Sequence, residues 1–140
     1  MNKTVMNKWT AALRSGKYAQ CTSGYLKVSK ARRNLAAAKL QGNSSYCVLG
    51  VLCELYQLEH PGATLSESLD ERLPGKLVTN YDGRIDDEVP EKVLEWAEMR
   101  QWTVSGRGEE KSPVVLTQLN DLGYTFLNLS QIISTHYKVL

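Results

Sequence analysis

No aspartate or glutamate occurs in the first 53 of the 140 residues, and several other features are scarce. There are three cysteines, Cys21, Cys47 and Cys53, and two histidines, His60 and His136. An odd cysteine count excludes a fully paired disulfide framework and suits a reducing compartment. Cys47 and Cys53 are six residues apart, which on a helix turns them about 120° off a shared face. With no CxxC and no HxxxH, no metal site and no cofactor are expected. The longest apolar run, Cys47 to Cys53, has seven residues, far short of the roughly 18 that span a bilayer. Lys3 and Lys8 are not followed by an apolar block of signal-peptide type, so the expected location is cytoplasmic, with no membrane partner. No GxxxxGK[ST] phosphate loop occurs.

What is present is ordinary globular material. Apolar residues make up 42% and charged residues 23%, which excludes wholesale disorder. The length suits one domain, residues 1–140. The net charge of +2 conceals an asymmetry. Residues 1–53 hold nine of the 17 basic residues and no acid, a charge of +9. The remainder holds eight basic and all 15 acidic residues, a charge of −7. Either a basic face meets an anionic partner, or the halves pack together and neutralise each other. The second reading is favoured.

The apolar spacing predicts mainly helix, about five of them, with a small hairpin or short strands and an α+β fold as the alternative. Val5, Trp9, Ala12 and Leu13 mark a helix over 4–14, ended by Gly16. Tyr25–Val28 reads as a short strand. Ser29 would cap a basic helix over Lys30–Leu40, with a hairpin as the competing reading. Residues 45–58 are apolar on nearly every side and read as the central helix, capped by Ser45. Gly50 within it implies close approach of another backbone or ring. Leu65, Leu69 and Leu73 suggest a helical turn, and Leu77–Thr79 a strand. A helix follows from Pro90 to Gln101. Ser112-Pro113 should cap and start a helix carrying Val115, Leu119 and Leu122. Gly123 ends it and Thr125 caps the last one, whose stripe is Phe126, Leu129, Ile132, Ile133 and Tyr137.

Five chemistries compete for these residues. Cys47, near a helix start, with His60 or His136 as base would make a thiol hydrolase. The apolar neighbours of both cysteines favour a structural role instead. The basic first third, with Trp9, Tyr18 and Tyr25 interleaved, could follow phosphates and stack bases, making a nucleotide- or nucleic-acid-binding module. Its best basic residues are Lys30, Arg32 and Arg33. The final helix pair has the outline of a DNA-reading motif, but residues 126–137 contain no Lys or Arg, which argues against phosphate or guanine contacts. Asp86-Asp87-Glu88 suits a helix start better than acid–base work. Asn120-Asp121 is unfavourable for the dipole at a helix C-terminus; a local turn or a ligand-facing pair would explain it.

Four blocks in order, WTAALRSGKYAQ, YCVLGVLCEL, VPEKVLEWAEM and LTQLNDLGYTFLNLSQII, resemble a family of small phage and prophage proteins. The resemblance covers about half the chain. Val48 stands where that family has a second cysteine, and the basic segment 27–43 resembles an insertion. The resemblance implies a phage accessory role and no particular activity. The expected function is therefore non-catalytic: binding and modulating a host component, a host protein, in the host cytoplasm. Tyr18, Lys30, Arg32, Arg33, Asn120 and Asp121 are the candidate binding residues.

Overall fold

The structure is a computed structural model; it describes residues 1–22, 24–30, 44–62, 65–69, 76–81, 89–101, 103–105 and 113–140. Within these lie five helices and seven strands, so the fold is α+β. Helix α1 (Lys3–Arg14) starts where the Asn2 side chain accepts from the Thr4 and Val5 amides. It buries Val5, Met6, Trp9, Thr10 and Leu13. Gly16 follows with φ +71°, the left-handed conformation expected of it.

Helix α2 (Val48–Glu59) is the central helix, with Val48 through Cys53 all buried. The Trp9 indole donates to the Val48 carbonyl at 3.0 Å, locking α1 onto its first turn. The expected cap, Ser45, is not the cap. Ser45 lies in a strand, and the Cys47 sulfur accepts from the Gly50 amide at 3.3 Å. Gly50 does meet another backbone. A Cβ there would stand 1.7 Å from the Leu26 carbonyl oxygen.

That Leu26 carbonyl also accepts from the Cys47 amide, and it leads directly into the main sheet. The sheet comprises β1 (Ala19–Gln20), β2 (Lys27–Lys30), β3 (Ser44–Tyr46), β4 (Leu65–Leu69) and β5 (Lys76–Tyr81), in the order β1-β3-β2-β5-β4. Only the β1–β3 pairing is parallel. Strand β2 pairs on both sides, Val28 with Ser45 and with Val78. The helix expected from Lys30 with Ser29 as its cap is therefore wrong at its start. Ser29 and Lys30 are strand residues, and the Ser29 hydroxyl bonds that of Ser44 at 2.7 Å. Ladder bonds on two edges outweigh local helix propensity, and the antiparallel β2–β3 pairing supports the hairpin alternative. Residues 31–43, with Arg32 and Arg33, lie outside the described residues, as do Leu73 and Asp86-Asp87-Glu88. Leu65 and Leu69 belong to β4 rather than to a helical turn, because β5 supplies a pairing edge.

Helix α3 (Glu91–Ala97) is shorter than its pattern suggests. Glu98 takes a left-handed conformation (φ +48°), and the Met99 amide turns back to the Leu94 carbonyl. Strands β6 (Thr103–Ser105) and β7 (Pro113–Val115) form a separate ribbon. Pro113 therefore opens a strand, not a helix; at a strand start its missing N–H is tolerated. Helix α4 (Leu116–Asp121) begins three residues later, and this shifts its inward face to Leu116, Leu119 and Asn120. Leu122, expected in the core, is 77% exposed. Gly123 (φ +91°) makes the turn into α5 (Phe126–His136). Thr125 caps α5 as expected, and Asn128 completes a reciprocal capping box.

Candidate functional site

Asn120 is fully buried, and its side chain reaches parts of the chain far from it in sequence. Its amide donates to the Cys21 carbonyl at 2.7 Å, and its oxygen accepts from Gln20 Nε2 at 2.9 Å. Gln20 also donates to the Tyr124 carbonyl at 2.7 Å and accepts from the Phe126 amide at 3.1 Å. Two side chains thus tie β1 to the turn between α4 and α5. The capping box fixes the other side of that turn. Asp121 stays exposed and accepts from the Asn120 amide at 3.2 Å.

Tyr18 belongs to a second cluster. Its ring meets Tyr46 edge-on, with centroids 5.2 Å apart. Lys27 Nζ lies 5.2 Å from the Tyr46 centroid and bonds Glu54 of α2 at 3.2 Å, with both side chains largely shielded. Burial pushes the Tyr18 phenol up, and Glu54 adds to it. Burial also raises Tyr46, against the opposing pull of Lys27. Burial alone would lower Lys27, but the Glu54 carboxylate outweighs it and the net shift is upward. The upward shifts keep both phenols neutral and Lys27 charged at neutral pH. The arrangement is a neutralised ion pair with aromatic walls. Lys30 lies on the same strand as Lys27, at the position paired with Lys76.

The cysteines are shielded. Burial pushes the Cys47 thiol up to about 12, and the fully buried Cys53 is pushed well above the ordinary value. A nucleophilic thiolate needs the reverse shift. The N-cap position does place backbone N–H groups on the Cys47 sulfur, but desolvation overrides them. No group of three or more His, Cys, Asp or Glu suited to a metal occurs among the described residues.

The charge halves do meet. Two ion pairs join the basic third to α2: Lys27 to Glu54, and Lys8 to Glu59, whose carboxyl the Lys8 hydrogen bond holds below its usual range. Beyond α2, Tyr56 stacks on His60 at 4.2 Å and meets Trp96 edge-on at 5.6 Å. The outer wall of α3 is acidic. Glu91, Glu95 and Glu98 border an open groove of about 940 Å³, facing Lys138 and Val139.

Sequence reasoning missed the exposed apolar tip of the molecule. Leu122, Tyr124 and Leu127 are 77%, 43% and 55% exposed on the turn that Gln20 and Asn120 hold. The only signal for it was Gly123, which forces a tight turn between two apolar stretches.

The chain belongs to the family described as a domain of unknown function (DUF8296), whose model matches residues 1–137. No curated protein and no solved structure matches it.

Proposed function

Taking the chain as a member of that family, we propose that it is a non-catalytic accessory protein of phage type that binds and modulates a host protein in the host cytoplasm. The α4–α5 turn carries the reading. Single exposed leucines are ordinary on a protein surface. Leu122, Tyr124 and Leu127 are three large apolar side chains within six residues, all solvent-facing. Clusters of this kind mark contact sites. The turn beneath them is already ordered by Gln20, Asn120 and the Thr125–Asn128 box, which lowers the entropy lost on docking. Arg14 bonds Ser130, one turn further along α5, and places positive charge beside the apolar tip. The best-suited partner is a protein with an apolar cleft rimmed by acidic residues. The phage setting rests on the sequence resemblance.

The alternatives fare less well. A thiol hydrolase would need Cys47 or Cys53 to ionise, which their burial opposes. A nucleic-acid site over residues 27–39 loses its first cation, Lys27, to Glu54.

The test is the double variant Leu122→Asp/Leu127→Asp, with its fold checked by circular dichroism. Host proteins cross-linked to the wild type are identified and one is purified. Its affinity for the variant should fall about a hundredfold, the size of a lost hot spot. Equal affinity for both proteins would overturn the proposal.

A further inference from the structure

The α4–α5 turn suits an apolar cleft with an acidic rim, and the molecule carries such a cleft at its opposite end. Among the described residues five large apolar side chains are exposed: Leu58, Leu122, Tyr124, Leu127 and Val139. Three of them form the turn at the start of α5. Val139 lies beyond the other end of that helix and lines the open groove of about 940 Å³ against α3. Helix α5 runs about 15 Å from Phe126 to His136, at 1.5 Å per residue. The turn of one copy therefore cannot reach its own groove.

Backbone bonds hold the groove open from three parts of the chain. The Asn2 amide donates to the Ala97 carbonyl at 2.8 Å, and the Arg100 amide to the Leu140 carbonyl at 2.7 Å. Gln101 Nε2 donates to the Val139 carbonyl at 3.1 Å. Met1, Leu94, Met99, Val139 and Leu140 supply an apolar lining. Glu91, Glu95 and Glu98 recur every three or four residues along the α3 wall, against the two cations Arg100 and Lys138. The groove thus has a surplus of one negative charge. The turn has the opposite surplus. Arg14 bonds Ser130 of α5, and the exposed Lys17 lies three residues before the Gln20 that bonds the Tyr124 carbonyl. Asp121 is the acid on that side. Opposite surpluses favour encounter of the two surfaces and fix which end meets which.

We propose that the α4–α5 turn of one copy seats in the α3 groove of a second copy, so that chains associate head to tail. The association rests on the turn being a contact surface, as proposed above, and it occupies that surface when no host protein does. The two patches differ and lie at opposite ends, so the contact is heterologous: each copy offers its turn to one neighbour and its groove to another. Both partners are ordered beforehand, the turn by Gln20, Asn120 and the capping box, the groove by its backbone bonds. That limits the entropy lost on docking. Three apolar side chains and a short rim cover less area than a stable complex needs, so the association is transient. A host protein with a deeper cleft displaces it.

The experiment is sedimentation velocity of the full chain from about 5 to 500 µM, a range that brackets weak association. The wild type should pass from single chains to species of more than two as its concentration rises. Leu122→Asp/Leu127→Asp keeps the groove and loses the turn. Val139→Asp, at an exposed position, keeps the turn and spoils the groove. With circular dichroism matching wild type, each variant alone should associate about tenfold more weakly or less. Mixed in equal amounts, they should associate again and stop at two chains, because each brings one intact half. Symmetric turn–turn or groove–groove pairing cannot give that result. The proposal is overturned by wild type that stays single at the highest concentration, by Val139→Asp that associates as wild type does, or by a mixture no more associated than its parts. Val139→Asp should bind the purified host protein at least as tightly as wild type. Host binding without self-association would sink only this inference, and self-association without host binding only the host-protein reading.

Discussion

Gly50 shows how much a single residue can carry. The chain entering β2 passes over the first turn of α2 so closely that a methyl group at Gly50 would overlap the Leu26 carbonyl. The contact is backbone on backbone, so no side chain can move aside. Gly50→Ala should destabilise the fold by about 3 kcal/mol or more, the upper range of overpacking, although alanine is the better helix former. Urea unfolding should show a lower midpoint. A midpoint equal to wild type would mean that the strand lies further from the helix. Cys47, three residues earlier, is a cap whose sulfur is desolvated. Its thiol is raised from the ordinary value near 9 to about 12 in the fold. An acid with a raised folded pKa contributes its full stability below the unfolded value and loses it as pH climbs toward the folded one. Unfolding free energy should therefore decline between pH 9 and 12, by up to about 1.4 kcal/mol per pH unit from this thiol. In the same spirit, a thiol reagent near pH 8 should label Cys21 on the native protein and spare Cys47 and Cys53. Labelling of all three at equal rates would contradict the burial.

At the scale of elements, the α4–α5 turn is built by long-range polar contacts. Asn120 bonds the Cys21 carbonyl and the Gln20 side chain, about a hundred positions away in sequence. Asn120→Ala would leave both partners without this bond and should cost about 1–3 kcal/mol. Amide hydrogen exchange should accelerate in residues 121–126. If exchange there is unchanged, the capping box alone orders the turn. The helices were the more legible elements. The α1 stripe, the apolar run of α2, the Gly16 and Gly123 stops and the Thr125 cap are all local signals, because a helix bonds within four residues. The strands were less legible. Ser29-Lys30 and Leu65–Leu69 have helix-compatible sequences and became strands because an edge was there to pair with. Pro113 was misread for the same reason: β6 holds residues 113–115 extended and delays α4 to Leu116. That delay rotates Asn120 into the core and Leu122 out of it, so one boundary error moved two residues to the wrong side.

At the scale of the whole molecule, charge is arranged in two different ways. Around α2, two cations of the basic third, Lys8 and Lys27, are paired with glutamates of the helix. The two ion pairs there should differ in strength. Lys8–Glu59 is exposed, and its removal should change stability by less than about 1 kcal/mol. Lys27–Glu54 is shielded on both sides, with side-chain exposures of 14% and 21%. Glu54→Gln, which leaves Lys27 without its countercharge, should cost more than Lys8→Ala in parallel denaturation curves. Equal effects would show that water reaches the inner pair. Beyond the end of α5, by contrast, Lys138 shares an open groove with Glu91, Glu95 and Glu98 of the α3 wall.

The sequence by itself located the cores of helices α1, α2, α3 and α5, the Gly16 and Gly123 turns, and an odd set of cysteines that cannot all pair. Those properties depend on near neighbours and on composition. Only the tertiary structure decided that β2 is a central strand, that Asn120 is a latch, that Lys27 is answered by Glu54, and that α1 lies beside α5. Each of these joins residues distant along the chain. Their energies come from desolvation and from hydrogen bonds across elements, and so they exist only once the elements have packed.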